Sequence, residues 1–243
     1  MKKFGCIAPS VVQLPWDLHA LLPKDVQALT VTLNVRNGQP GEQERAIGNM
    51  RRAADVLIDE GAQSIVVMGV PVAARRGFTA DRDALDALTA DRGAVPIISS
   101  LATSALALKH LGAKHPLFIT QYNEEVNTAM VRYCGDMGVN VGGIVGLGAT
   151  NAAMVNALSV SDYEALTGRA LDQHPQTDGI FLSARGSLLA LTRKLQAAFG
   201  LPAIEQIEAS VWWSLAQLGT APSAGAGRLF PPNFVSQDGS VVA

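Results

Sequence analysis

The sequence predicts an α/β protein built from two similar lobes, each with a four-stranded parallel sheet and flanking helices. Short runs rich in Ile and Val alternate along the chain with amphipathic segments of about ten to fifteen residues. These runs do not alternate apolar with polar residues, which is typical of parallel strands covered by helices on both faces. In addition, the second half of the chain repeats the pattern of the first half.

The elements follow one another in a regular order. The predicted strands are the short apolar runs at residues 4–8, 29–33, 64–68, 95–98, 117–120, 141–145, 179–182 and 203–206. The predicted helices are the amphipathic segments at residues 43–60, 81–91, 100–111, 123–137, 161–174, 188–199 and 209–218. Strands that alternate with helices in this way predict a mostly parallel sheet with right-handed crossovers.

The internal repeat divides the chain into two flavodoxin-like lobes. The stretch GAQSIVVMGVPVAARRG (61–77) is followed by GAVPIISSLATSALAL, and TDGIFLSARGSLLAL (177–191) is followed by GLPAIEQIEASVWWSL. Each half contains a strand, a turn of small residues, a helix, a segment with Gly and Pro, a second strand and a second helix. Residues 3–10 likewise match residues 115–122. We place the first lobe at residues 1–114 together with 209–243, and the second lobe at residues 115–208.

Composition excludes several classes of protein. The chain has 243 residues, of which 48% are hydrophobic and 16% charged, so it can bury a large core. Its 19 basic residues are scattered among 21 acidic ones, which argues against a nucleic-acid partner. No apolar run approaches the roughly 18 residues of a membrane helix, and the N-terminal apolar run is too short for a signal peptide. The histidines lack metal-ligand spacing: His19, His110, His115 and His174.

The cysteines and glycines also predict no cofactor chemistry. Cys6 and Cys134 form no disulfide framework and are expected to be small buried hydrophobic residues in a reducing cytoplasm. The glycines of GVNVGGIVGLG (138–148) do not have the spacing of a dinucleotide-binding loop. We therefore expect a cytoplasmic protein, monomeric or homo-oligomeric, without a metal or an organic cofactor.

Two parallel sheets that face each other place the carboxyl ends of their strands on one cleft, where ligands of such sheets bind. Gly69 and Ala184 occupy equivalent places in the two halves and are expected to face each other across this cleft. The other candidate ligand-binding residues stand at or next to the predicted strand ends: Pro9, Ser10, Asn34, Val70, Pro71, Val72, Ser99, Ser100, Tyr122, Asn123, Gly146, Ser183, Arg185, Gly186, Ser187 and Gln206.

Four stretches make the chain similar to a known family over nearly its whole length. They are VVMGVPVAARRG, TQYNEEVN, DGIFLSARGSLLAL, and VWWSLAQLG with the later GAGRLF. The chain resembles the aspartate/glutamate racemase superfamily, and within it the branch of arylmalonate decarboxylase and maleate cis-trans isomerase. The resemblance implies cofactor-free chemistry on small carboxylates or dicarboxylates through an enediolate or carbanion. Racemases and isomerases of this kind use one cysteine from each lobe, whereas the decarboxylase keeps only the second, as its proton donor.

The resemblance assigns the two cysteine positions to Gly69 and Ala184, neither of which carries a thiol. The decarboxylase also binds a carboxylate through hydroxyl and backbone N–H groups just after the first position. Here that place holds Val70 and Pro71, which lack hydroxyls, and Pro71 also lacks an N–H. Tyr122 falls on the carboxylate-binding tyrosine of the family.

Three explanations of Ala184 are consistent with the sequence. An engineered exchange of cysteine for alanine would leave the surrounding turn intact. A natural homologue with different acid–base groups would differ at several site residues together, as Val70 and Pro71 do. A non-catalytic relative would only bind a small acid.

Other groups next to the turns could bind an anion. Arg185 and the backbone N–H groups of Gly186 and Ser187 stand at a predicted helix start, where an anion is favoured. Arg75 and Arg76 could clamp a carboxylate, but solvated arginines at a helix start are the favoured interpretation. The serines have no recognisable histidine–carboxylate partners, so a serine hydrolase is excluded.

Overall fold

The computed structural model describes residues 1–9, 16–35, 40–93, 95–184, 188–223 and 227–230, which form two separate parallel sheets. The first sheet has the strand order β2-β1-β3-β4, with β1 (Lys2–Ala8), β2 (Val26–Thr32), β3 (Ile65–Val67) and β4 (Ile97–Ser99). The second has the order β6-β5-β7-β8, with β5 (Pro116–Tyr122), β6 (Gly143–Ala149), β7 (Gly179–Ser183) and β8 (Ala203–Glu205). The two orders are identical apart from numbering, so the predicted fold class is confirmed.

Helices connect the strands. The first half contains α1 (Trp16–Leu21), α2 (Pro40–Asp59), α3 (Val70–Arg76), α4 (Phe78–Thr89) and α5 (Ser100–His110). The second half contains α6 (Glu124–Asp136), α7 (Ala152–Ala157), α8 (Val160–Gln173), α9 (Leu189–Phe199) and α10 (Gln206–Gln217). The short helices α1, α3 and α7 were not predicted. With six or seven residues each, they are too short to repeat an apolar stripe along the sequence.

Helix α3 corrects the prediction for Val70, Pro71 and Val72, which were expected in a turn. The helix begins at Val70, directly after Gly69, whose φ of 122° is a conformation that residues with a side chain rarely adopt. Proline is tolerated in the first turn of a helix because its missing N–H would have no acceptor within the helix. The Val70 side chain is completely buried and belongs to the core.

The strand register supports the equivalence of Gly69 and Ala184. Val67 pairs with Ser99 in the first sheet, and Leu182 pairs with Glu205 in the second. Gly69 and Ala184 each stand two residues beyond these paired positions, at the carboxyl end of the third strand of the sheet. The expectation that they face each other across a cleft stays a prediction.

Both cysteines lie in the hydrophobic core. Cys6 is in β1 and Cys134 in α6, and burial raises the pKa of each thiol to about 12. Both thiols are therefore protonated at neutral pH. Within the described parts of the chain, no helix combines the length and apolar character needed to cross a membrane.

A buried ion pair joins α9 to α10. Arg193 Nη2 donates to Glu208 Oε1 over 2.8 Å, and the Glu208 side chain has no exposed surface. Burial raises the pKa of Glu208 to about 7, against the opposite effects of Arg193 and of a backbone hydrogen bond. Desolvation of the carboxylate thus outweighs its pairing.

Glu208 should make the protein less stable as the pH rises. Because its pKa is higher in the folded chain than the ordinary value of 4.5, the folded state binds more protons between these two values. The free energy of unfolding should therefore fall by up to about 3 kcal/mol between pH 4.5 and slightly above pH 7. Urea denaturation at several pH values should show this slope, and Glu208→Gln should flatten it. Glu164→Gln, which removes an exposed partner of Lys194, should leave it unchanged. Parallel profiles for wild type and Glu208→Gln would contradict this assignment.

Candidate active site

The carboxyl ends of the two sheets are joined by a chain of buried hydrogen bonds. Ser183, the last residue of β7, donates to Gln206 Oε1 over 3.0 Å. Gln206, the first residue of α10, donates through Nε2 to Ser100 Oγ of the first lobe, also over 3.0 Å. These two bonds hold the carboxyl ends of the two sheets next to each other.

An apolar cavity of about 210 Å³ opens beside Gly69 in the first lobe. Its walls come from the ends of β1 and β3, the loop after β2, and helices α2, α3 and α4. The main apolar lining residues are Pro9, Leu33, Val35, Met50, Val67, Met68, Pro71, Val72 and Leu85. A cavity of this size and character suits an apolar group larger than benzene, which fits an engineered apolar cavity of roughly 150 Å³.

One wall of the cavity carries a polar cluster that contains Arg76, Asp81 and Ser99. Arg76 Nη1 donates to Asp81 Oδ1 over 3.1 Å, and the hydroxyl of Tyr133 donates to Asp81 Oδ2 over 3.0 Å. Ser99 Oγ lies 2.9 Å from the same hydroxyl. Tyr133 belongs to α6 of the second lobe, so this cluster also joins the two lobes.

Tyr122 is the last residue of β5 and therefore stands at the carboxyl end of a strand of the second sheet. Its side chain is 9% exposed. Burial raises the pKa of its hydroxyl, against the opposite effect of hydrogen bonds with Gln121 and Ser183. The hydroxyl is therefore a neutral hydrogen-bond donor at physiological pH, which is the form that can bind a carboxylate oxygen.

The second turn is described only up to Ala184. This residue is half-buried and packs against the leucine-rich core of the second lobe. The predicted site residues Ser10, Arg185, Gly186 and Ser187 lie outside the described residues.

Two of the predicted site residues, Asn34 and Asn123, have local structural features that the sequence did not predict. Asn34 has a positive φ of 56° and an exposed side chain, whereas its neighbours Leu33 and Val35 line the cavity. Asn123 Oδ1 accepts the N–H of Val126 and caps α6.

Gly146 does not end a strand, because β6 continues to Ala149. A Cβ atom at Gly146 would lie 2.1 Å from the carbonyl oxygen of Tyr122. Glycine is therefore needed there for the close approach of two strands.

The cavity residues of α2 and α4 and the cluster of Asp81 and Tyr133 were not among the predicted site residues. Met50 and Leu85 follow ordinary helical spacing, which does not distinguish a cavity wall from a packed core. Arg76 was expected to be solvated, but its side chain is only 21% exposed and lines the cavity. The one available signal was its position seven residues after Gly69.

No described group of three or more His, Cys, Asp or Glu side chains could hold a metal ion. The described site thus consists of an apolar cavity, a paired arginine and neutral hydroxyl groups. Such a site can bind a small organic anion through hydrogen bonds and bury its apolar part.

The fold and the site together define a two-lobed α/β protein with an apolar cavity beside the strand ends of its first sheet. A sequence model of the arylmalonate decarboxylase family matches residues 5–230. Because this match covers most of the chain, the chain belongs to the arylmalonate decarboxylase family.

Individual relatives agree with this assignment. Arylmalonate decarboxylase of Bordetella bronchiseptica is 26% identical over 231 residues, 93% of this chain and 95% of that protein. The fold matches a crystal structure of a doubly substituted arylmalonate decarboxylase in a liganded form. Its TM-score is 0.84 at 22% identity, covering 95% of this chain and 99% of that one. A maleate cis-trans isomerase of Nocardia farcinica with a covalently bound succinylcysteine intermediate gives a TM-score of 0.82 at 19% identity, covering 94% and 97%.

Replacing Gly69 should strain the backbone at the mouth of the cavity. A Cβ atom there would meet Pro9 at an ordinary 3.6 Å, so the penalty comes from the φ of 122° and not from a clash. We expect Gly69→Ala to lower the free energy of unfolding by about 1–3 kcal/mol. Gly48→Ala, in the exposed interior of α2 with open space around it, should instead stabilise the protein by about 0.5–1 kcal/mol. Urea denaturation measures both, and equal effects at the two positions would contradict the backbone argument.

Proposed function

We propose that the protein binds a small carboxylate with an apolar substituent in the cleft between its lobes. The apolar cavity beside Gly69 carries this proposal, because it can bury the substituent at the strand ends where ligands of parallel sheets bind. Tyr122 is the proposed donor to the carboxylate. Family membership supports the same class of ligand, since relatives are named for arylmalonates and for maleate.

We further propose that the chain lacks a thiol proton donor for an enediolate or carbanion formed in this cleft. The resemblance places the proton donor of the decarboxylase at Ala184, whose methyl group cannot transfer a proton. Cys6 and Cys134 are buried in other elements, and their high pKa values keep both thiols protonated. A positioned general acid contributes about 10²–10⁴-fold to such a step. The protein should therefore bind arylmalonates but decarboxylate them slowly or not at all.

Ligand binding can be tested with phenylmalonate. At a concentration 100 times its Kd, the ligand should stabilise the wild type by about 2.7 kcal/mol, seen as a rise in Tm. Val72→Phe should weaken binding at least tenfold, because Val72 lines the cavity and the larger ring occupies the space of the substituent. Val160→Phe is the matched control, since Val160 is exposed at the start of α8 and is not among the residues that line the cavity. Absence of binding to the wild type, or equal loss in both variants, would contradict the proposal.

The missing proton donor can be tested by Ala184→Cys. The variant should release CO₂ from phenylmalonate about 10²-fold or more faster than the wild type, because a thiol again reaches the carbanion. The gain should remain partial, since Val70 and Pro71 offer no hydroxyl to the carboxylate. Ala184→Ser is the control of similar size and should show no comparable gain, because a serine hydroxyl is a much weaker acid. Full turnover by the wild type would show that another group is the acid.

A further inference from the structure

The polar cluster of Arg76, Asp81, Ser99 and Tyr133 borders a cavity whose other walls are mainly apolar, and burying an apolar substituent there does not need these polar groups. Asp81 is 3% exposed and Tyr133 is 1% exposed, so both polar groups were removed from water on folding. Burial of an unpaired carboxylate is costly, and both Asp81 oxygens are accordingly used, by Arg76 and by Tyr133.

The hydrogen bonds of this cluster have a defined direction. The single hydroxyl proton of Tyr133 is donated to Asp81 Oδ2. The hydroxyl of Ser99 then donates to Tyr133, while Ser99 Oγ accepts the N–H of Ala102 and caps α5. The ring of Phe78 packs edge-on against Tyr133 with 5.6 Å between ring centroids. Asp81 therefore accepts hydrogen bonds from residues of both lobes. Its bond to Arg76 Nη1 fixes one edge of the guanidinium.

The guanidinium of Arg76 is only partly used. It has five N–H donors, and the one hydrogen bond that it makes within the described chain is the bond to Asp81. The side chain is 21% exposed and lines the cavity. Its other N–H groups are thus available at the cavity wall. The carboxylate of Asp81 offsets part of the positive charge of Arg76, so an anion should bind to Arg76 with moderate affinity.

Arg76 and Gly69 stand at opposite ends of α3. Seven residues of helix separate their Cα atoms by about 10 Å along the axis. The Arg76 guanidinium is held by Asp81 of α4, and Arg76 lines the same cavity as Gly69. A ligand that contacts both ends of α3 therefore needs a hydrocarbon spacer between its two ends.

We propose that Arg76, positioned by Asp81 and Tyr133, binds an anionic group at the far end of the ligand's apolar substituent. This inference rests on the proposed function, because the substituent must first enter the cavity beside Gly69. The ligand class is then a carboxylate whose apolar spacer ends in a second, distal acidic group. Arg75 shares the cavity wall but pairs over 2.8 Å with Glu125 at the surface, which makes it the natural control.

Hexanoate and adipate test the inference, since they differ only by a carboxylate in place of the terminal methyl group. By calorimetry at low salt, the wild type should bind adipate about tenfold more tightly than hexanoate. Arg76→Met should abolish this preference, chiefly by weakening the binding of adipate. Arg76→Lys, which keeps a charge for Asp81 in case Arg76→Met fails to fold, should retain part of the preference. Arg75→Met should retain all of it.

Asp81→Asn separates anion binding from a merely structural role. The neutral amide can still accept from Arg76 and can donate to Tyr133, whose hydroxyl then donates to Ser99. Because the offsetting charge is gone, adipate should bind about threefold to tenfold more tightly, with hexanoate unchanged. An adipate-to-hexanoate ratio that does not change in Arg76→Met and Asp81→Asn overturns the inference while leaving the proposed function intact. If neither hexanoate nor phenylmalonate binds to the wild type, the proposed function fails first.

Discussion

The architecture depends on how the polar strand ends of two sheets are buried against each other. Ser183, Gln206 and Ser100 are all nearly inaccessible to water, and each must find its hydrogen-bond partner within the protein. The amide of Gln206 satisfies one serine from each lobe. Separating the lobes would leave these groups without partners in an apolar seam. These hydrogen bonds therefore fix how the two sheets lie against each other.

The duplicated fold does not produce a duplicated site. The two sheets share one strand order and one register, yet their equivalent turns differ in backbone and side chain. In the first half a glycine with positive φ leads directly into α3, which carries an arginine toward an apolar cavity. In the second half a half-buried alanine packs against leucines. The two halves thus share one scaffold but differ in the residues at their equivalent turns.

The sequence predicted the sheets and the long helices well, because apolar runs and amphipathic segments report directly on burial. It also predicted that Gly69 and Ala184 are equivalent, from the repeat alone. It did not predict that Val70 starts a helix, since seven residues carry too little periodicity. The pairing of Asp81 with Tyr133 joins residues 52 positions apart on helices of different lobes. Such a contact depends on how the two lobes pack against each other. Local sequence patterns do not carry that information.

The burial of both cysteines has a practical consequence for chemical labelling. Alkylating reagents react with exposed thiolates, and the chain's two thiols are buried and protonated. The folded protein therefore has almost no background reactivity toward maleimides or iodoacetamide. A cysteine introduced at an exposed position would then be the one readily modified thiol in the molecule. Fluorophores or spin labels could then be attached there without first removing native residues.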